Sequence, residues 1–144
     1  KELSKMPTYY IMNKNQTMAD TVLDNMPSQK EIEACNWLTE EEIKIYSKDY
    51  TRTTFQGGLN WYRASVDFEN LKSLSKFKDN KIKVPSIFIS GKNDWGIYQK
   101  PGSIEQMKKA NMNFKGIHLI KNAGHWVQQE KPIEVAEKIL SFLS

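Results

Sequence analysis

Two short apolar runs in the last part of this 144-residue chain constrain its fold more than any other feature. Ile82, Val84, Ile87, Phe88 and Ile89 make the first, bounded by Gly91, and Gly116-Ile117-His118-Leu119-Ile120 make the second. Runs this short, with almost no polar alternation, read as strands of a parallel sheet that is covered on both faces. Residues 102–110 between them suit a helix. Pro132 to Leu143 suits another, with proline in the first turn, where its missing N–H is no loss. Strand, helix, strand, helix is the order of a parallel α/β sheet, but two strands cannot cover both of their own faces. The chain is therefore expected to be part of a larger fold.

The first half has a different character. Thr39-Glu40-Glu41-Glu42 forms a capping box ahead of Ile43, Ile45 and Tyr46, which predicts a helix from about 40 to 51. Met18, Val22, Leu23 and Met26 recur at helical spacing until Pro27, which predicts a second helix over 17–26. With 39% hydrophobic residues and a mean hydropathy of −0.64, the chain is wet for a compact two-sided sheet, and its first half reads as lid-like helices and loops.

Composition also excludes several classes. Net charge is +4 with an isoelectric point near 9.0, but Lys72, Lys76, Lys78, Lys81, Lys83, Lys108 and Lys109 are dispersed among acidic neighbours, without an aromatic-interleaved basic stripe. They read as solvated faces, and no nucleic acid is expected. No run approaches the roughly 18 apolar residues of a membrane span. Lys1-Glu2-Leu3-Ser4-Lys5 leads into no apolar signal-peptide core, so a soluble, cytoplasmic chain without membrane contact is expected. Cys35 is alone and has no disulfide partner within the chain. There is no Gly-rich phosphate loop, and His118, His125 and Asp94 lack metal-ligand spacing, so neither a cofactor nor a metal is implied.

The chemistry lies just past the two strands. Asp94 closes the run Ser90-Gly91-Lys92-Asn93-Asp94, and His125 sits in Ala123-Gly124-His125-Trp126-Val127-Gln128-Gln129-Glu130. Each follows the carboxyl end of a strand, the rim where open α/β sheets meet their ligands. A histidine base needs a carboxylate to hold its tautomer and stabilise its charged form, and Asp94 can serve His125 in that way. Gly124 removes side-chain bulk, and Trp126 is expected to seal one side of the histidine from water. His118, in mid-strand, reads as a buried core group.

These two segments, together with Phe55-Gln56-Gly57-Gly58-Leu59-Asn60-Trp61-Tyr62-Arg63, resemble the carboxyl-terminal half of the epoxide hydrolase branch of the α/β-hydrolase superfamily. The resemblance covers nearly the whole chain. It implies a partial α/β-hydrolase fold, with residues 1–63 as a helical cap and 64–144 as the last two parallel strands and their helices. It further implies Asp94 as the charge-relay acid, His125 as the base, and Tyr62 and Tyr10 as the cap tyrosines, with Tyr9 the alternative to Tyr10. Trp61, Trp95 and Trp126 are candidate linings of an apolar substrate pocket. Where epoxide hydrolases carry Phe-Gln-x-Pro-Gly after the first cap tyrosine, this chain has Met12-Asn13-Lys14-Asn15-Gln16-Thr17. It also contains no His-Gly-x-Pro turn and no small-x-nucleophile-x-small elbow.

In an epoxide hydrolase, two phenols can hydrogen-bond the oxygen of the opening ring, and the histidine activates the water that hydrolyses the resulting aspartyl ester. The expected substrate is a small apolar epoxide. A dehalogenase acting on a halide or an esterase of the same fold is the alternative, because the nucleophile is not among these residues. A catalytically silent remnant is a further alternative. With half a parallel sheet, the chain is expected to self-associate or to pair with an amino-terminal half, and to be inactive alone.

Overall fold

The computed structural model describes residues 11–144, so Tyr9 and Tyr10 lie outside the described residues. By contacts, the chain divides into a helical unit, Leu38–Lys81, and a second unit that joins residues up to Trp37 with Ile82–Ser144.

In the second unit, α1 (Met18–Asp24) and α2 (Gln29–Ala34) precede β1 (Ser86–Gly91), α6 (Ser103–Ala110), β2 (Phe114–Ile120), α7 (Val127–Glu130) and α8 (Pro132–Leu143). The helical unit consists of α3 (Glu40–Thr53), α4 (Gln56–Val66) and α5 (Phe68–Ser75). Both helices expected in the first half are present, as α1 and α3. So are the closing helix at Pro132 and the strand–helix–strand–helix order.

The β strands pair in parallel, with Ser90 opposite Leu119 and Gly91 opposite Ile120. The first strand starts later than the apolar run suggests. Pro85 has no N–H to give to a ladder, so continuous pairing begins after it, and Ile82 makes only an isolated bridge to Asn111. With two strands among the described residues, neither face is fully covered. His118 is consequently half-buried instead of buried, and Ile87, Phe88 and Ile89 are half-buried as well. The tight core lies at the carboxyl end of the sheet, where Ile120, Ala123, Val127 and Val135 pack together with Ile89 against them. The start of α7 and the first turns of α8 are thereby fastened to the end of β2.

Three helices begin with the same device. Thr17 with Asp20, Ser28 with Glu31, and Thr39 with Glu42 form reciprocal capping boxes, in which the hydroxyl accepts from the third backbone amide and the carboxylate accepts from the cap. Each carboxyl is held below its ordinary value. The Thr17 hydroxyl is the main cause for Asp20, the Ser28 hydroxyl for Glu31 and the Thr39 backbone amide for Glu42. A carboxyl depressed in the folded state stabilises it above the unfolded value and loses that contribution as pH falls through the lower folded value. Helical circular dichroism should hold steady down to the ordinary values of 3.8 and 4.5 and decline below them. Replacing Thr17, Ser28 and Thr39 together by alanine should lower the helical signal at neutral pH and make that acid decline shallower, because less of the depression remains; an unchanged titration would contradict the assignment.

Candidate active site

Parallel pairing sends both post-strand loops out from one edge of the sheet, and backbone hydrogen bonds then tie the loops together. The Lys92 N–H donates to the Ile120 carbonyl at 2.7 Å and the Asn93 N–H to the Ala123 carbonyl at 2.9 Å. The approach is so close that a Cβ on Gly91 would fall onto the carbonyl oxygens of Ala123 and Gly124. Glycine is required there for space. Asn122 turns the second loop with φ of 54°, a left-handed conformation that asparagine tolerates well.

The loops bring together the acid and histidine expected from sequence. Nδ1 of His125 lies 3.0 Å from Oδ1 of Asp94. Asp94 is buried, at 8% exposure, whereas the His125 side chain is 43% exposed. With the carboxylate as acceptor, the Nδ1–H tautomer of a neutral imidazole is the one that makes this hydrogen bond and leaves Nε2 its lone pair, the arrangement a base requires. Asp94 also caps the 3₁₀ turn Trp95–Tyr98, with Oδ1 accepting from the Gly96 N–H at 2.7 Å. Its other oxygen, Oδ2, accepts from the Ser90 hydroxyl at 3.0 Å.

Aromatic rings border the imidazole on two sides. Trp95 stacks on it with centroids 4.8 Å apart and planes at 17°, and Trp126 meets it edge-on at 5.3 Å and 76°. The ring that covers a face of His125 is thus Trp95. Trp126, expected to seal the histidine from water, is itself 52% exposed. Trp61 and Tyr62 stand on α4 in the helical unit, both exposed. An open hollow of about 510 Å³ in that unit is lined by residues between Leu38 and Phe55, including Tyr46 and Tyr50, and none of the expected site residues lines it. Among the described residues, no group of three or more His, Cys, Asp and Glu gathers as a metal site would require.

Sequence reasoning gave no role to two residues that shape this site. Glu130 closes the histidine loop, its Oε2 accepting from the Gly124 N–H at 2.7 Å and its Oε1 from the Trp126 N–H at 3.0 Å. One carboxylate thus satisfies the amides on either side of His125, including that of Trp126 at the start of α7. An acidic residue placed between a Gly-His turn and a helix-starting proline is the signal that could have found it. Ser90 is the other, a hydroxyl that directly follows the apolar stretch Ile87-Phe88-Ile89 within Ser86–Gly91.

No family model matches the chain. Epoxide hydrolase A of Mycobacterium tuberculosis (strain ATCC 25618 / H37Rv) is 36% identical over 129 residues, covering 87% of this chain and 37% of that protein. Bifunctional epoxide hydrolase 2 of Mus musculus is 33% identical over 136 residues, covering 94% of this chain and 23% of that protein. The solved structure of potato (Solanum tuberosum) epoxide hydrolase I superposes with a TM-score of 0.67 at 30% identity, over 82% of this chain and 40% of that one. The chain is homologous to epoxide hydrolases of the α/β-hydrolase fold. It spans well under half the length of each relative named. Among its described residues, no helix is long and apolar enough to cross a membrane.

The loop geometry of this epoxide hydrolase homologue makes Glu130 a test of its own construction. Glu130→Ala strips two amides of a charged acceptor and should cost roughly 1.5–3 kcal/mol, read as a lower denaturant midpoint. Glu130→Gln, which keeps one carbonyl oxygen, should cost less. An unchanged midpoint in the alanine variant would remove Glu130 from the support of this loop.

Proposed function

We propose that this chain supplies the base, its orienting acid and the cap tyrosines of an epoxide hydrolase that works through an aspartyl ester. The observation that carries the reading is the 3.0 Å contact between His125 Nδ1 and buried Asp94, with homology to epoxide hydrolases behind it. Residues 1–63 act as the cap and 64–144 as the carboxyl-terminal part of the core. The nucleophile is an aspartate on an elbow that these 144 residues do not contain.

The substrate is a small apolar epoxide, and Trp95 and Trp126 border the imidazole that it reaches. As the aspartate attacks a ring carbon, the C–O bond breaks and negative charge develops on the epoxide oxygen. Tyr62 and Tyr10 hydrogen-bond that oxygen, and one of them delivers the proton that completes the hydroxyl. Nε2 of His125 then takes a proton from water, whose oxygen bonds to the ester carbonyl carbon; the ester C–O bond breaks to release the diol and the free aspartate, and the proton held by the imidazolium returns to the tyrosinate left by ring opening. Asp94 keeps the ring in the productive tautomer and stabilises the imidazolium.

The test is to join the chain to the amino-terminal part of a homologous epoxide hydrolase and to follow epoxide conversion to diol. The chain alone should give no turnover and the joined protein repeated turnover. His125→Gln should trap the covalent ester after one cycle and lower multiple turnover by about 10²–10⁴-fold. Tyr62→Phe should instead slow ester formation. Undiminished turnover by His125→Gln would remove the histidine from the mechanism, and halide release from a haloalkane, with no diol formed from the epoxide, would identify a dehalogenase.

The same reading assigns an occupant to the uncovered surfaces of the strand-bearing unit, namely the remaining strands and helices of the hydrolase sheet. Ile133, Leu140 and Leu143 of α8 are exposed, and the two-stranded sheet leaves edge groups open to pairing. Alone, the chain should elute as a dimer or larger assembly instead of a 16.8 kDa monomer. A monodisperse monomer at all concentrations would count against this pairing.

A further inference from the structure

We infer that Ser90 is a positioning residue for the Asp94–His125 pair: its hydroxyl fixes the second carboxylate oxygen and thereby holds His125 in the tautomer that leaves Nε2 free. The inference deepens the reading of His125 as a base and rests on it.

Ser90 is 5% exposed near the end of β1, among Ile87, Phe88 and Ile89. A hydroxyl buried in such surroundings is costly unless it is paired. It donates to Asp94 Oδ2 at 3.0 Å; among the described residues its other hydrogen-bonding partner is the Gly91 carbonyl at 3.5 Å, at the limit for a hydrogen bond. Because the hydroxyl proton is directed to Asp94 and not to the imidazole, Ser90 does not supply the missing nucleophile.

The three contacts on Asp94 divide unevenly. The Gly96 amide and the His125 ring both meet Oδ1, whereas among the described residues Ser90 alone meets Oδ2. The Asp94 side chain is 12% exposed, so Oδ2 has little water to turn to. Remove the Ser90 hydroxyl and that oxygen is a buried acceptor without a partner. The carboxylate must then take up a proton or swing toward solvent, and either response weakens its acceptance from Nδ1–H. Which imidazole nitrogen carries the proton is decided by the partner of the other nitrogen, so the effect reaches the catalytic end of the ring.

Nitrogen NMR of the chain labelled at histidine reads this directly and needs no turnover. The chain has two histidines, so His118, on the neighbouring strand, reports whether the fold survives. Wild-type neutral His125 should be dominated by the Nδ1–H form. Ser90→Ala should make that form a minority while the His118 signals stay in place, and Ser90→Thr, which restores a hydroxyl, should recover it. If Ser90→Ala disturbs His118, Ser90→Cys decides, because it keeps the volume with a much weaker donor and should shift the tautomer in the same direction. A wild-type tautomer in whichever of these variants keeps the fold overturns the role of Ser90 and leaves the base assignment intact. Absence of the Nδ1–H form in the wild type overturns both.

Discussion

The parallel pairing of β1 with β2 is the constraint on which the site depends. Asp94 and His125 are 31 residues apart, yet both strands end on one edge at the inter-strand spacing of about 4.8 Å. An antiparallel arrangement would have sent the two loops to opposite edges. The pairing then continues past the strands through Lys92 to Ile120 and Asn93 to Ala123, so the loops inherit the rigidity of the ladder. Gly91 marks where the two backbones come closest, and the buried cluster of Ile120, Ala123, Val127 and Val135 anchors the chain on either side of His125.

Two carboxylates divide the work of holding the histidine. Glu130 binds backbone, the amides of Gly124 and Trp126, and so fixes where the loop carries the ring. Asp94 binds the ring itself and so fixes its orientation and its proton. Neither can replace the other, because one acts on the position of Cα and the other on rotation about the side-chain bonds. Trp95 adds a third restraint by lying parallel to one face of the imidazole. It belongs to the turn that Asp94 caps, so a single residue orders both the hydrogen-bonding partner and the stacking partner of His125.

Sequence legibility followed the range of the interactions. The α3 capping box and the proline at the start of α8 are read within a few residues, and both helices begin where those signals stand. The boxes at Thr17 and Ser28 carry the same local signal, with Asp20 and Glu31 three residues on, and were equally open to reading. The pairing of Asp94 with His125 was legible because two apolar strands end just before them. Trp95 was harder, since whether it or Trp126 covers the imidazole depends on how the 3₁₀ turn folds beneath the neighbouring loop. Ser90 was hidden by its setting: an apolar run suggests packing, and its hydroxyl gains meaning only when the turn at Gly91 carries Asp94 back over it. The start of β1 shows the converse error, in which hydrophobic pattern carried the strand through Pro85 although the ladder cannot use that residue.

The assembly around His125 is also compact in sequence. Ser90, Asp94, Trp95, Gly96, Gly124, His125, Trp126 and Glu130 all lie between residues 90 and 130, and every contact described for the histidine is made inside that span. A parallel strand pair with its own crossover helix is enough to close it. The tyrosines proposed for the ring-opening step belong to other parts of the chain, and the proposed nucleophile to none of it. The two halves of the proposed mechanism therefore differ physically. The residues proposed for water activation stand on one parallel strand pair and its loops, whereas those proposed for ring opening lie outside it.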